Sequence, residues 1–194
     1  MSRAFRVLRD PRGTTVIEFA MIAPVMLLML MGLMELLYQV YVQSIFDGAM
    51  QKAGRDSSLE SNVVAGGELD DKVEAMVRSI AKDATFTSER KSYSTFALVK
   101  PETFNDKNGN KQRDPGECFD DVNNNGVWDV DPGRQSQGGA NDVTKYTMTV
   151  TYNHLFPIQK MLGWSDTVTL TSTTLLKNQP YKTQTVPTIP SVCT

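Results

Sequence analysis

The sequence predicts an α+β protein: one long N-terminal helix, spanning a membrane and then protruding from it, followed by a small α+β head with an antiparallel sheet. Three observations carry this expectation. Phe19 to Met34 is a run of 16 residues without a charge. Apolar residues then continue at helical spacing, with no proline from Gln39 to Arg55. Residues 143–177 hold two segments with the period and composition of strands.

The apolar run is slightly short for a spanning helix, which needs about 20 residues. It suffices if the helix starts near Thr14 and continues through Leu36, Leu37 and Tyr38. Beyond it, Val42, Ile45, Phe46, Ala49 and Ala53 form an apolar stripe at three- and four-residue steps. A helix from 14 to 55 is roughly 60 Å long at 1.5 Å per residue, about twice the hydrocarbon thickness. Half of it must therefore project from the bilayer. Pro24 is tolerated in such a helix.

Gly66-Gly67 breaks the pattern. Leu69, Val73, Met76, Ile80 and Ala84 then predict a second, amphipathic helix to about residue 84. Tyr93 to Val99 is a candidate strand. Val143 to Tyr152 alternates Tyr146, Met148, Val150 and Tyr152 with polar neighbours, and Asp166 to Lys177 is a threonine-rich strand. Between these two, His154 to Ser165 reads as a turn with a short helix, opened by Pro157 and ended by Gly163. The tail from Pro180 reads as extended.

Averages hide this segregation. The chain is 40% hydrophobic, 22% charged and −2 in net charge. Too little of it is apolar for a multi-span membrane protein, and no basic excess points to nucleic acid. Yet residues 1–13 carry Arg3, Arg6, Arg9 and Arg12 against Asp10, and eight acids make residues 102–133 net −5. The arginines before the span put residues 1–13 in the cytoplasm and the head outside. The chain thus divides into a leader at 1–13, a helix at 14–55 with its span at about 16–38, and an exported head at 56–194 with an acidic loop at 104–133.

The helix start reads Arg12-Gly13-Thr14-Thr15-Val16-Ile17-Glu18-Phe19-Ala20. A carboxylate inside an apolar span costs a few kcal/mol and usually has a partner. If the chain were cut after Gly13, the new α-amino group of Thr14 would supply a positive charge. It lies too near Glu18 on the same helix for good geometry, so the amine of a neighbouring subunit is the better partner. These residues resemble the processing site of type IV prepilins. Together with Pro24 and the Leu/Met run they resemble the TadE-like pseudopilins of the Tad (Flp) pilus apparatus. Tyr146–Tyr152, Leu155-Phe156-Pro157, Val168–Leu176 and Lys177–Tyr181 resemble that family's strand–turn–strand ending more loosely. The resemblance implies cleavage by a prepilin peptidase after Gly13. It also implies that Glu18 acts in subunit entry or register, and that the chain is a minor or accessory subunit. Its partners would be other pilins and pseudopilins, the peptidase and inner-membrane lipid. It would sit in the bacterial inner membrane with a single pass and a periplasmic head, or in an extracellular pilus.

The acidic loop repeats with a period of 15: Phe104–Asn110 aligns with Phe119–Asn125, and Asp114 with Asp129. Asp106, Asn108, Asn110, Gln112, Asp114 and Glu117 fall at positions 1, 3, 5, 7, 9 and 12 of an EF-hand-like pattern. Gln112 would offer its backbone carbonyl and Glu117 both carboxylate oxygens. Lys111 stands at position 6, where glycine is usual. The second copy offers Asp121, Asn123, Asn125, Val127 through its carbonyl, and Asp129, with Gly126 at position 6. Its position 12 is Pro132, so Asp131 or a distant group must close it. The pair resembles the tandem calcium loops of exported bacterial proteins. The expectation is one or two calcium ions with a structural role, since a loop of this charge would otherwise stay disordered; a solvated Asn/Asp/Gly-rich loop is the plainer alternative. Phe104, Phe119 and Trp128 would anchor it.

Cys118 and Cys193 lie on the exported side, where disulfides persist, and are expected to pair, with two buried or reactive free thiols as the alternative. His154, the only histidine, is expected to cap or pack. Trp164 is expected in the core, with contact to lipid or a neighbouring subunit as the alternative. Tyr38 and Tyr41 are expected at the membrane interface. No phosphate loop, CxxC motif or catalytic set argues for an enzyme. Two functions remain: a pilin-like subunit assembling through its helix, or a membrane-anchored calcium-binding surface protein outside any pilus.

Overall fold

The computed structural model describes residues 14–59, 66–161, 163–179 and 187–193. The leader, with Gly13, lies outside them. Helix α1 is a single rod, Thr14–Leu59, of 46 residues with Pro24 inside it. At 1.5 Å per residue it is about 70 Å long. Residues 15–34 touch almost nothing, and Val16, Ile17, Phe19, Leu28 and Leu30 are among the many exposed apolar side chains. The stripe after them is covered: Val42, Phe46, Ala49, Met50 and Ala53 are buried. One helix therefore has two solvents, with its first half apolar on every side and its second apolar on one side only.

The cover for that stripe is the head. Helix α2, Gly66–Arg78, contributes Leu69, Val73 and Val77. A four-stranded antiparallel sheet contributes the rest, in the order β3-β1-β4-β5. Its strands are β1 (Thr85–Tyr93), β3 (Arg134–Gln135), β4 (Val143–Asn153) and β5 (Thr167–Lys177). Tyr146, Met148, Val150 and Tyr152 point from β4 into the core, joined by Val168 and Leu170 from β5. The outer face is threonine-rich: Thr147, Thr149 and Thr151 share hydroxyl hydrogen bonds with Thr173, Thr171 and Thr169. A separate pair, β2 (Cys118–Asp120) and β6 (Ser191–Cys193), ties the C-terminal tail to the acidic loop. A short α3, Ile158–Met161, lies between β4 and β5.

The sheet runs along α1, which sets up two ends. Tyr152 meets Tyr38 edge-on at 5.9 Å between ring centroids. Ser172 donates to Asp47 at 2.7 Å, and Leu176 lies against Gly54. The β4–β5 turn is thus at the end nearer the apolar span, while Tyr93, Val143 and Lys177 pair at the far end.

Three sequence expectations need correction. The strand placed at Tyr93–Val99 is instead β1, Thr85–Tyr93, and Phe96–Leu98 is a 3₁₀ turn. The inward face of β1 reads Phe86, Ser88, Arg90 and Ser92, which hid it from a hydrophobic pattern. It is polar because it meets Asp70 of α2: Ser88 Oγ and Arg90 Nη2 donate to that carboxylate at 2.8 and 2.5 Å, and Tyr146 hydroxyl joins them. Helix α2 stops at Arg78 rather than near residue 84, because Ile80 and Ala81 N–H groups both turn back to Val77 O. Ala81 and Ala84 are buried all the same. Trp164 is not core; it is 69% exposed. Tyr38, expected at the membrane interface, packs on Tyr152 and donates to Ile80 O at 3.3 Å.

Candidate functional site

Two regions hold the sequence-predicted functional residues. The first is the start of α1. Glu18 is exposed there, without an ion pair to another described residue, and Thr14 opens the helix. Its carboxylate lies among exposed apolar side chains.

The second region is the acidic loop, where two short stretches fold as replicas. Asp106 accepts from the N–H groups of Gly109 and Lys111 at 2.7 and 2.8 Å. Asp121 accepts from Asn125 and Gly126 at 3.1 and 2.7 Å. Asn108 and Asn110 accept from the backbone two residues on, as do Asn123 and Asn125. Asp114 Oδ2 receives the side-chain amides of Asn108 and Asn110 at 2.7 and 2.8 Å. Asp129 Oδ2 receives those of Asn123 and Asn125, both at 2.7 Å. The residues at positions 1, 3, 5 and 9 thus converge in each loop. Gln112 and Val127, at position 7, continue each turn through their N–H groups.

Positions 4 and 6 need positive φ in both loops. The first loop meets this with Gly109 (76°) and Lys111 (62°), the second with Asn124 (61°) and Gly126 (77°). Lys111 therefore does not stop the turn. It adopts the left-handed conformation glycine would have held, at a conformational cost of about 1 kcal/mol.

The closing residues were only half legible. Glu117 accepts from Lys107 N and Asp114 N at 2.8 and 3.0 Å, clamping positions 2 and 9 of its own loop. In the second loop the same two positions, Val122 N and Asp129 N, are clamped at 2.8 and 2.9 Å by Glu102. Asp131 does not take part. Its carboxylate is held by Lys91 and Lys145 at 3.1 and 3.0 Å and by the Tyr93 hydroxyl. Glu102 stands 15 residues before Glu117, so the repeat itself carried the signal, two residues upstream of where the alignment of Phe104 with Phe119 began. The glutamate ahead of each loop closes the other one. The short bridge Phe104↔Phe119, flanked by Asn105 N to Cys118 O and Asp120 N to Thr103 O, makes this exchange possible.

Both closing glutamates are buried, at 3% and 4% exposure. Burial raises the Glu102 carboxyl above the usual carboxylate range, and the charges of Asp121 and Asp129 push it the same way. The N–H groups of Val122 and Asp129 hold it back only in part. Among the described residues, no group of three or more His, Cys, Asp or Glu side chains is arranged to hold an ion. The converging sets are mixed instead: aspartate with asparagine amides, whose oxygens serve a hard cation as carbonyls do. Phe119 is buried, and Phe104 meets Trp128 edge-on at 6.1 Å. Cys118 and Cys193 are disulfide-bonded across the β2–β6 pair, and Asp121 N donates to Pro190 O at 2.9 Å.

One further site escaped the sequence reading. Glu35, at the top of the apolar run, is 4% exposed. It faces His154 Nδ1 at 2.9 Å and accepts from the N–H groups of Leu155 and Phe156 at 3.0 and 3.2 Å. His154 does pack, as expected, and its partner is this carboxylate. Nothing local in the sequence links residues 119 positions apart.

Residues 13–55 match the model of a protein family described as TadE-like protein. The matched stretch is the glycine before α1 together with α1 as far as Arg55. The match supports a place among pilin-like proteins associated with the Tad pilus, and with it a single apolar helix suited to membrane anchoring. No curated protein and no solved structure matches the chain.

Proposed function

We propose that this chain is a minor or accessory pilin-like subunit of a Tad (Flp) pilus. A prepilin peptidase cuts it after Gly13, and α1 carries it into the assembly. The observation that carries this reading is the TadE-like match over 13–55, which begins at the proposed cleavage glycine and ends two residues past Ala53, a buried residue of the stripe that α1 turns to the head. Glu18 then finds its partner on a neighbouring subunit, at the amine that cleavage exposes. Orientation follows from the arginines before the span, with the head outside.

Cleavage position tests the reading. Intact mass of the protein from cells with and without prepilin peptidase should differ by residues 1–13. An uncut chain in peptidase-positive cells rejects it and leaves a membrane-anchored surface protein. Glu18→Ala should insert normally and fail to join the apparatus; undiminished assembly would remove the role given to Glu18.

Calcium in the loop 104–133 is the second part of the proposal. Support comes from two copies of one turn, each with asparagine and aspartate oxygens at alternate positions and each closed by a buried glutamate. One or two ions would neutralise a −5 stretch and lock the far end of the head. The ion would be held by Asp106, Asn108, Asn110, Asp114 and Glu117 in the first loop and by Asp121, Asn123, Asn125, Asp129 and Glu102 in the second. Thermal melting with calcium and then with EDTA checks this, and equal melting temperatures would sink it.

A further inference from the structure

The turn between β4 and β5 has a surface the assembly reading does not use. Leu155 is 50% and Trp164 69% exposed. Residues 154–165 contain no acid, and their one charged side chain, Lys160, is on the surface beside Asp166 at 3.5 Å. Large apolar side chains in a turn are normally covered, and here the rest of the head leaves them bare.

Their height on the molecule is fixed. The buried Glu35 carboxylate gathers His154 Nδ1 and the N–H groups of Leu155 and Phe156, pinning the turn to one level of α1. That level is where α1 first buries a side chain against the head: Leu30, Leu33 and Met34 are exposed just below Glu35, exposed apolar side chains continue above it at Leu36, Leu37, Val40 and Tyr41, and the covered stripe begins with Val42. With the span at about 16–38, Glu35 lies within about 5 Å of its outer end at 1.5 Å per residue. The turn lies there with it. Tryptophan with a lysine and a leucine is the composition that favours the headgroup boundary, where an indole keeps its ring in lipid and its N–H near water.

We propose that the β4–β5 turn is a membrane foot: Leu155 and Trp164 bed into the outer interface of the bilayer, and Glu35 fixes their depth. This surface is continuous with the apolar face of α1, which is why lipid is the occupant rather than a second copy. The inference rests on the membrane-anchored reading of α1. It gives the head a fixed standing height and orientation before assembly, with the acidic loops pointing away from the lipid.

The test is depth-resolved quenching on the full chain in vesicles of phosphatidylcholine and phosphatidylglycerol. Lipids brominated near the glycerol end of the acyl chain should quench roughly half the emission, the share of one of two tryptophans. Trp164→Phe should abolish that quenching, because Trp128 lies in the far acidic loop. Glu35→Gln should weaken the quenching while the protein still floats with the vesicles. Flotation without quenching overturns the foot and leaves the anchor intact. Failure to float overturns both. Quenching that survives Trp164→Phe also overturns the proposal. A Trp164 emission shift that depends on protein concentration in detergent, with no lipid quenching, assigns the surface to self-association instead.

Discussion

The first and second acidic loops share a backbone and differ in how they are closed. Loop one ends in its own clamp, Glu117, eleven residues after Asp106. Loop two has proline at that place and borrows Glu102 from ahead of loop one. The lesson is that the pair, not the single loop, is the folding unit. The Glu102 clamp on loop two needs the Phe104–Phe119 bridge, which brings the two stretches side by side.

The disulfide is the sharpest test of that unity. Cys118 sits directly after Glu117 and shortly before Asp121, and its bridge to Cys193 closes a separation of 75 residues. Cys118→Ser with Cys193→Ser should cost about 3–4 kcal/mol in urea unfolding of the head, chiefly by freeing the unfolded chain. Both loops should loosen together in hydrogen exchange. Protection lost in one loop alone would break the pair into independent parts.

Next in size, the clamps separate the loops. Glu102→Ala leaves two buried N–H groups unpaired and should cost about 2–3 kcal/mol, and Glu117→Ala about the same. The milder Glu102→Gln should remove one calcium site by titration calorimetry and leave the other, as Glu117→Gln should in mirror image. If Glu102→Gln binds as the parent does, loop two is closed by something else.

Glycine placement gives a smaller, signed effect. Gly126→Ala should destabilise by about 1 kcal/mol, because its φ of 77° is a left-handed conformation that a side chain adopts only at a cost. Lys111→Gly should stabilise by a similar amount, since its φ of 62° is already the glycine conformation. Melting temperatures that move in the same direction for both would refute the equivalence of position 6.

The parts legible in the sequence were those with a period. Helix α1 announced itself by composition, strands β4 and β5 by alternation and hydroxyl content, and the two loops by their 15-residue repeat. The parts that were hidden rest on contacts between distant residues of mixed polarity. Strand β1 lacks an apolar period because Ser88 and Arg90 on its inner face answer Asp70 rather than a hydrophobic core. The role of Glu35 was hidden because its partners lie in a turn 119 residues on. Asp131 is the acid beside the proline at position 12, yet its carboxylate is held by Lys91 and Lys145.

That diversion of Asp131 yields the smallest effect, and it has a pH signature. Burial alone would raise the carboxyl, but hydrogen bonds from Tyr93, Lys145 and Lys91 outweigh it and hold it down at about 2, against 3.8 for a free aspartate. A depressed carboxylate stabilises the fold above its unfolded pKa, and the gain is lost as pH falls through the folded value. The side chain is 31% exposed, so solvent screening trims the contribution to about 1 kcal/mol. Calcium-free protein with Asp131→Asn should therefore be less stable than the parent at pH 5 to 7, and the two stability curves should meet on acidification between about pH 4 and 2. Calcium affinity should be nearly unchanged, because Glu102 and not Asp131 closes the second loop. A large loss of affinity in Asp131→Asn would return that residue to the cage and reverse the contrast between the loops.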